Sequence, residues 1–257
     1  MDEAWLRGIG TDLKVAVLFA TRIPLPHEAP IGGDDIARAV WALPVAALLI
    51  GLSSAFAYLL ATYFGLPPFV CATLAVATSL GVTGGLHEDG LADTFDGLGG
   101  ATRADKLAVM RDSRLGTYGA CALVLSLLLR IGALASLAAA GPAARALIAA
   151  HAGARAMLPL FLALVPAARA DGLAADAGTP PGPRVAAAVV IGLVLMLIEL
   201  GTAPSLAVLL LLAAAFVAVR WLALRLFGGQ TGDVAGALEQ IGEIAVLLVA
   251  ASTHVSV

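Results

Sequence analysis

Long apolar runs separated by short polar breaks organise this chain. No Asp, Glu, Lys or Arg falls between Arg38 and Glu88, and Pro67-Pro68 divides that run. A bilayer-crossing helix takes about 20 apolar residues, so the stretch predicts two spans, near 39–64 and 68–86. Further runs predict spans near 116–140, 143–165, 185–202, 204–227 and 234–254, with Gly201-Thr202-Ala203-Pro204 as a tight turn. Trp5, Leu6, Ile9, Leu13, Val17 and Ala20 recur at helical spacing ahead of Pro24 and Pro26. That pattern predicts an interfacial helix rather than a cleaved signal peptide. The expected fold is all-α, a single polytopic membrane domain over 1–257, with about seven transmembrane helices plus the N-terminal interfacial helix. Residues 1–36 hold that helix and an Arg-Ile-Pro loop, and 87–115 form a polar segment between spans.

Composition supports the pattern. Of 257 residues, 60% are hydrophobic and 13% charged, against about 25% charged in a soluble domain. Aromatics are few at 5%, and the apolar mass is Ala, Leu and Val, which favours helices over a β-barrel. A net charge of −3 leaves no basic surface for nucleic acid. Cys71 and Cys121 fall in predicted spans and read as small apolar core residues. Ala167 to Arg184, rich in Ala, Gly, Pro and Asp, reads as a flexible loop.

The basic residues give an orientation. Segments 1–38, 87–115, 166–184 and 220–233 hold four, four, two and two Lys or Arg, whereas the opposite connections hold Arg145 alone. By the positive-inside rule the former face the cytoplasm, and every charged motif lies on or near that face.

The candidate chemistry begins in the run Thr83-Gly84-Gly85-Leu86-His87-Glu88-Asp89-Gly90-Leu91-Ala92-Asp93-Thr94-Phe95-Asp96-Gly97. On a helix, Asp89, Asp93 and Asp96 share one face, at i, i+4 and i+7, and Glu88 lies about 100° to the side of Asp89. Like charges so placed repel, and no Lys or Arg intervenes before Arg103. An all-oxygen carboxylate set relieved by a bound cation suits Mg²⁺, with Mn²⁺ as a substitute, better than zinc. A solvated acidic surface or a helix cap is the plainer reading, and His87 reads as a supporting residue. A second cluster, Met110 to Gly119, combines Arg111, Asp112, Ser113, Arg114 and Thr117 just before a span. Guanidinium forks suit phosphate oxygens, although basic anchoring at a helix end explains Arg111 equally well. In a third cluster, Gly228-Gly229-Gln230-Thr231-Gly232-Asp233, the amides of a glycine turn could form an anion nest. Ionisable side chains inside spans are costly and usually functional. Glu239 with Glu243, and His151 with Arg155, are two such pairs one turn apart, with Arg130 and Glu199 as weaker cases.

Together with Thr21-Arg22-Ile23-Pro24-Leu25-Pro26, these clusters resemble the cobalamin synthase family of adenosylcobinamide-GDP ribazoletransferases, in the family's order across residues 21 to 243. The resemblance implies a multi-pass protein of the bacterial inner membrane with a cytoplasmic active site. It implies transfer of adenosylcobinamide phosphate from its GDP-linked form to α-ribazole or its 5′-phosphate, with release of GMP and a requirement for Mg²⁺. Metal ligands would be Asp89, Asp93 and Asp96, with Glu88 beside them, and one of these aspartates or Asp233 would accept the ribose proton. Arg22, Arg114 and Arg155 would bind phosphate oxygens. His87, Arg111, Asp112, Ser113, Thr117, His151, Gly228, Gly229, Thr231, Glu239 and Glu243 would complete the substrate site. Partners implied are the bilayer and the two small-molecule substrates. A homo-oligomer or a complex with other corrin-pathway enzymes is left open.

Read without that resemblance, the residues admit two rivals. A CDP-alcohol phosphotransferase also sets aspartates on a membrane helix over a pyrophosphate, but its pattern has Ala-Arg after Asp-Gly, whereas Ala92 precedes Asp93. A divalent-cation transporter would use Glu239, Glu243 and the acidic run as a path. The orientation makes a testable prediction. Single cysteines placed in 97–103 or 170–178 should react with an impermeant thiol reagent only from the cytoplasmic side, and one beside Gly141 only from outside. Outside labelling of 97–103 would refute the single-face arrangement.

Overall fold

The computed structural model describes residues 3–26, 31–137, 139–170 and 178–253, with side chains from residue 8 onward. The chain runs through α1 (Glu3–Ala20), α2 (Gly33–Ala39), a 3-10 turn (Val40–Ala42), α3 (Leu43–Tyr63), α4 (Pro68–Thr83) and α5 (Leu86–Gly97). It continues through α6 (Arg103–Val109), α7 (Thr117–Ser136), α8 (Ala140–Leu164), α9 (Gly182–Leu200), α10 (Thr202–Leu222) and α11 (Gly232–Ser252). A π-helical turn, Ala223–Phe227, extends α10. Among the described residues no strand forms, and the one β-type pairing is an isolated bridge between Ala167 and Gln230. The fold is all-α, as the hydropathy pattern requires.

Among the described residues six helical stretches are long and apolar enough to cross a membrane, and α4 with α5 makes a seventh if that bent pair is taken together. The pair turns by 90°, at Gly84 and Gly85, both at φ 70°, a left-handed conformation that glycine adopts without a Cβ penalty. The apolar limb α4 therefore ends three residues before the expected boundary at 86. Helix α5, carrying His87, Glu88, Asp89, Asp93 and Asp96, is the polar limb and is read as lying outside the spanning segments.

Helices α8 and α11 occupy the centre, with 72% and 78% of their apolar windows buried, against 22% for α9 and for α10 at the periphery. Small residues let the central helices approach closely. A Cβ on Gly51 of α3 would stand 2.8 Å from the Ile148 backbone of α8, and one on Gly242 of α11 would stand 3.1 Å from Ala154 Cβ. Phe56, Leu206, Leu210 and Val217 instead point outward, as a lipid-facing surface should. Cys71 is buried as expected, but Cys121 is exposed on α7 and is not a core residue.

The segments rich in Lys and Arg meet at one end of the bundle. Arg22 N–H donates to Val82 O at 2.7 Å and Ala168 N–H to Gln230 O at 2.8 Å. Arg103 Nη2 donates to Ala168 O at 3.1 Å. Buried Asp12 accepts from Trp41 Nε1 at 2.9 Å and from Arg184 Nη1 at 2.5 Å, pinning α1 to the 3-10 turn and to α9. Much of the loop expected to be flexible, at 171–177, lies outside the described residues, as do the side chains of Trp5 and Leu6.

Candidate active site

Helix α5 crosses the start of α11 where both carry glycine. A Cβ on Gly90 would stand 2.8 Å from Asp233 O, and one on Gly236 would stand 3.2 Å from His87 Cα. That crossing sets Asp89 and Asp93 against Asp233, whose Oδ2 accepts from Arg169 Nη2 at 3.1 Å. With Asp96 one turn further along α5, four carboxylates thus share one neighbourhood with the Arg169 guanidinium. Their crowding has an electrostatic consequence. Burial, then the nearby charges of Asp89, Asp233 and Asp96, push the Asp93 carboxyl up to about 7, against a partial offset from Arg169. Such a shift marks a place where positive charge is missing.

The four are not equally free. Asp96 accepts from Gly116 N–H at 2.7 Å and from Gly119 N–H at 2.8 Å, satisfying the first amides of α7. It therefore works as a helix cap and not only as a member of the acidic face. Thr231 likewise caps α11, accepting from Val234 N–H at 3.2 Å while its hydroxyl donates to Asp233 at 3.2 Å. The expected anion nest at Gly228 and Gly229 is not available, because these amides are spent on the chain itself. Gly228 and Gly229 N–H both donate to Ala223 O, and Gln230 N–H donates to Pro166 O.

The cluster after α6 is open to solvent, with Arg111, Ser113, Arg114 and Thr117 exposed. Arg114 grips Asp112 through Nε at 3.0 Å and Nη2 at 2.5 Å, and these bonds hold the Asp112 carboxyl down to about 2. Exposed Arg22 lies across Gly84 at the α4–α5 bend, where any Cβ would collide with its side chain.

Below this surface lies a second constellation, in which the sequence assigns Arg155, Glu239 and Glu243 to substrate and Glu88 to metal. Glu88, Arg130, Arg155, Glu239 and Glu243 are all at most 8% exposed. Arg130 Nη1 donates to Glu88 at 2.9 Å and to Glu243 at 3.2 Å. Arg155 Nη1 donates to Glu243 at 2.8 Å, and Arg155 Nη2 lies 3.2 Å from His87 Nδ1. Arg155 Nη1 also stands 2.5 Å from Glu239 Oε1, an ion pair whose angle is too poor for a hydrogen bond, so that oxygen has no hydrogen-bond donor. Gln240 Nε2 donates to Glu239 at 3.0 Å, and His151 Nδ1 meets Glu243 at 2.5 Å.

Several expectations are corrected by this network. Arg155 is 1% exposed and holds glutamates rather than presenting a fork to phosphate. Glu88, His151, Glu239 and Glu243 belong to the same interior, not to the surface that substrate or metal would meet, while buried His87 touches that interior and also lines the cavity beside Asp89. Among the described residues, His151, Glu239 and Glu243 form the sole group of three or more such side chains with ligand atoms within 4.8 Å of one another. The guanidinium of Arg155 sits against both glutamates, so the space a cation would need already holds positive charge. Neither Asp89, Asp93 and Asp96 nor Asp89, Asp93 and Asp233 converge to that distance, although their all-oxygen chemistry suits a hard cation. A transporter path through Glu239 and Glu243 is closed for the same reason: both carboxylates are tied to arginines.

Sequence reasoning missed Arg169, whose place in an Ala/Gly/Pro loop gave no signal, and gave Arg130 little weight. The one available clue to Arg130 was its solitary charge within the apolar run 116–140.

Fold and site define a class: a polytopic helical membrane protein with a carboxylate-rich, arginine-flanked surface at one end of its bundle. The chain belongs to the cobalamin-5-phosphate synthase family, which matches residues 12–251. It is 52% identical over 248 residues to an adenosylcobinamide-GDP ribazoletransferase of Bradyrhizobium diazoefficiens, covering 96% of this chain and 95% of the relative. It is 47% identical to the one from Mesorhizobium japonicum (95% and 94% covered) and 40% identical to that of Ralstonia nicotianae (96% of each). No solved structure matches the chain.

The buried network makes a prediction. Arg130→Met leaves Glu88 and Glu243 short of a cation in a dry interior and should lower stability by about 3–5 kcal/mol. Thermal unfolding in detergent measures it, and Arg130→Lys should recover part of the loss. An unchanged midpoint for Arg130→Met would show that the network does not hold the helices together.

Proposed function

We propose that this protein transfers adenosylcobinamide phosphate from adenosylcobinamide-GDP to α-ribazole or α-ribazole 5′-phosphate, late in cobalamin assembly. A ribose hydroxyl oxygen attacks the phosphorus bearing the cobinamide. The new P–O bond replaces the bond to the bridging oxygen, which departs with its electron pair as part of GMP. The hydroxyl proton passes to a carboxylate. The observation that carries this reading is the set of aspartates gathered at the α5–α11 crossing, where burial first and then neighbouring carboxylates push the Asp93 carboxyl up to about 7. Such a site supplies a proton acceptor and demands a counter-charge.

Asp89, Asp93 and Asp233 are the residues that would hold Mg²⁺, with Asp96 contributing while it caps α7. When bound, the ion neutralises charge on the pyrophosphate oxygens and the departing GMP. Exposed Arg22 and Arg114 lie at the same end of the bundle, where a pyrophosphate could meet them. Arg169 orients Asp233 through its 3.1 Å bond. The charged end is placed on the cytoplasmic side of a bacterial inner membrane, supported by the clustering of Lys and Arg there.

GMP release from adenosylcobinamide-GDP plus α-ribazole tests the reaction. Asp89→Asn and Asp93→Asn should each lower turnover by about 100-fold or more, the scale of losing charge aimed at a transition state. Near-normal turnover in both would remove the aspartates from the chemistry. A proton on Asp93 also competes with a cation, so Mn²⁺ affinity followed by electron paramagnetic resonance should be about tenfold tighter at pH 8 than at pH 6. Equal affinities at the two values would place the cation away from Asp93.

A further inference from the structure

A cavity of about 130 Å³ opens beside the acidic surface, between α1, the α2–α3 segment, α5, α8 and α11. Phe19, Val40, Leu43 and Leu158 form apolar walls, and His87, Asp89 and Asp233 supply its polar lining. We propose that this cavity seats the base of the acceptor nucleoside and presents its ribose to Asp89 and Asp233. The inference rests on the proposed transfer reaction and assigns one of its two substrates a place.

Three features select the occupant. Among the described residues no Lys or Arg lines the cavity, so an anionic phosphate gains nothing there by entering past two carboxylates. Its size excludes a corrin ring but suits an uncharged bicyclic aromatic base such as that of a ribazole. Guanine's N1–H and amino donors could reach Asp89 or Asp233, but O6, N3 and N7 would have only the His87 ring to meet among otherwise apolar walls, whereas a base with a single ring acceptor loses little. Ribose hydroxyls, in contrast, are donors that the two carboxylates can accept. With the base held by Phe19 and the aliphatic walls, the sugar lies at Asp89 and Asp233, the carboxylates that border the cavity. Helix α1 thereby acquires a function, with Asp12 pinning it so that Phe19 stays in place.

Steady-state kinetics on Phe19→Ala and Ala235→Leu test the assignment; the first removes an aromatic wall and the second fills the cavity, which Ala235 lines. Loss of one base–aromatic contact is worth about tenfold or more, so the α-ribazole KM should rise at least about tenfold while that for adenosylcobinamide-GDP stays within about twofold. Equilibrium dialysis of detergent-solubilised wild-type protein should show α-ribazole binding that GMP does not displace, a readout independent of whether either variant folds. A rise in the donor KM instead, displacement of α-ribazole by GMP, or an unchanged acceptor KM in an active enzyme would each overturn the cavity assignment while leaving the transfer reaction standing. Wild-type protein that releases no GMP overturns the reaction, and this inference with it.

Discussion

Ionised side chains cannot be left alone in a bundle surrounded by lipid, and this fold is arranged around that constraint. Two guanidiniums and three carboxylates sit in the interior at exposures of 0 to 8%. Each would be prohibitively costly to bury singly. Their mutual bonds require Glu88 on α5, Arg130 on α7, Arg155 on α8 and Glu239 and Glu243 on α11 to meet at one level. Satisfying them fixes four helices in register. Pairing of this kind does not make the protein more stable than an apolar core would, but it makes one arrangement far better than its neighbours. The acidic surface takes its shape from that requirement, because Asp89 follows Glu88 immediately and Asp233 opens the helix that carries both central glutamates.

One stretch of α5 therefore performs two tasks on two faces. Glu88 turns inward to Arg130, while Asp89 and Asp93 turn outward to Asp233. The close crossing at Gly90 and Gly236 lets the outward face lie against α11, and Asp96 locks the far end to α7. Acidity alone does not separate these roles. The angular position of each residue on the helix does.

That distinction explains what was legible from sequence. Spans, the polar limb and the shared face of Asp89, Asp93 and Asp96 follow from periods of 3.6 residues and from the charge-free run after Arg38, both local properties. The inward face of α5 was equally local, yet its partner lies 42 residues away on α7, and no periodicity announces such a pair. Arg155 looked like a phosphate ligand because an isolated intramembrane arginine carries no record of the glutamate 88 residues later that binds it. The glycine turn at 228–229 failed similarly. Its composition permits a nest, but Pro166 and Ala223 supply carbonyls that take the amides first.

The chain distances in the central network also bear on how the protein is made. A ribosome delivers α5, then α7, then α8, and α11 only at the end. Glu88 and Arg130 can pair as soon as α7 follows α5, but Arg155 is made before Glu239 and Glu243, the glutamates it contacts directly. Until α11 arrives, that guanidinium has to be kept at the lipid surface, in water or against the insertion machinery. The last helix is thus the keystone of biogenesis: α8 can take up its central position only when Glu239 and Glu243 come in beside it.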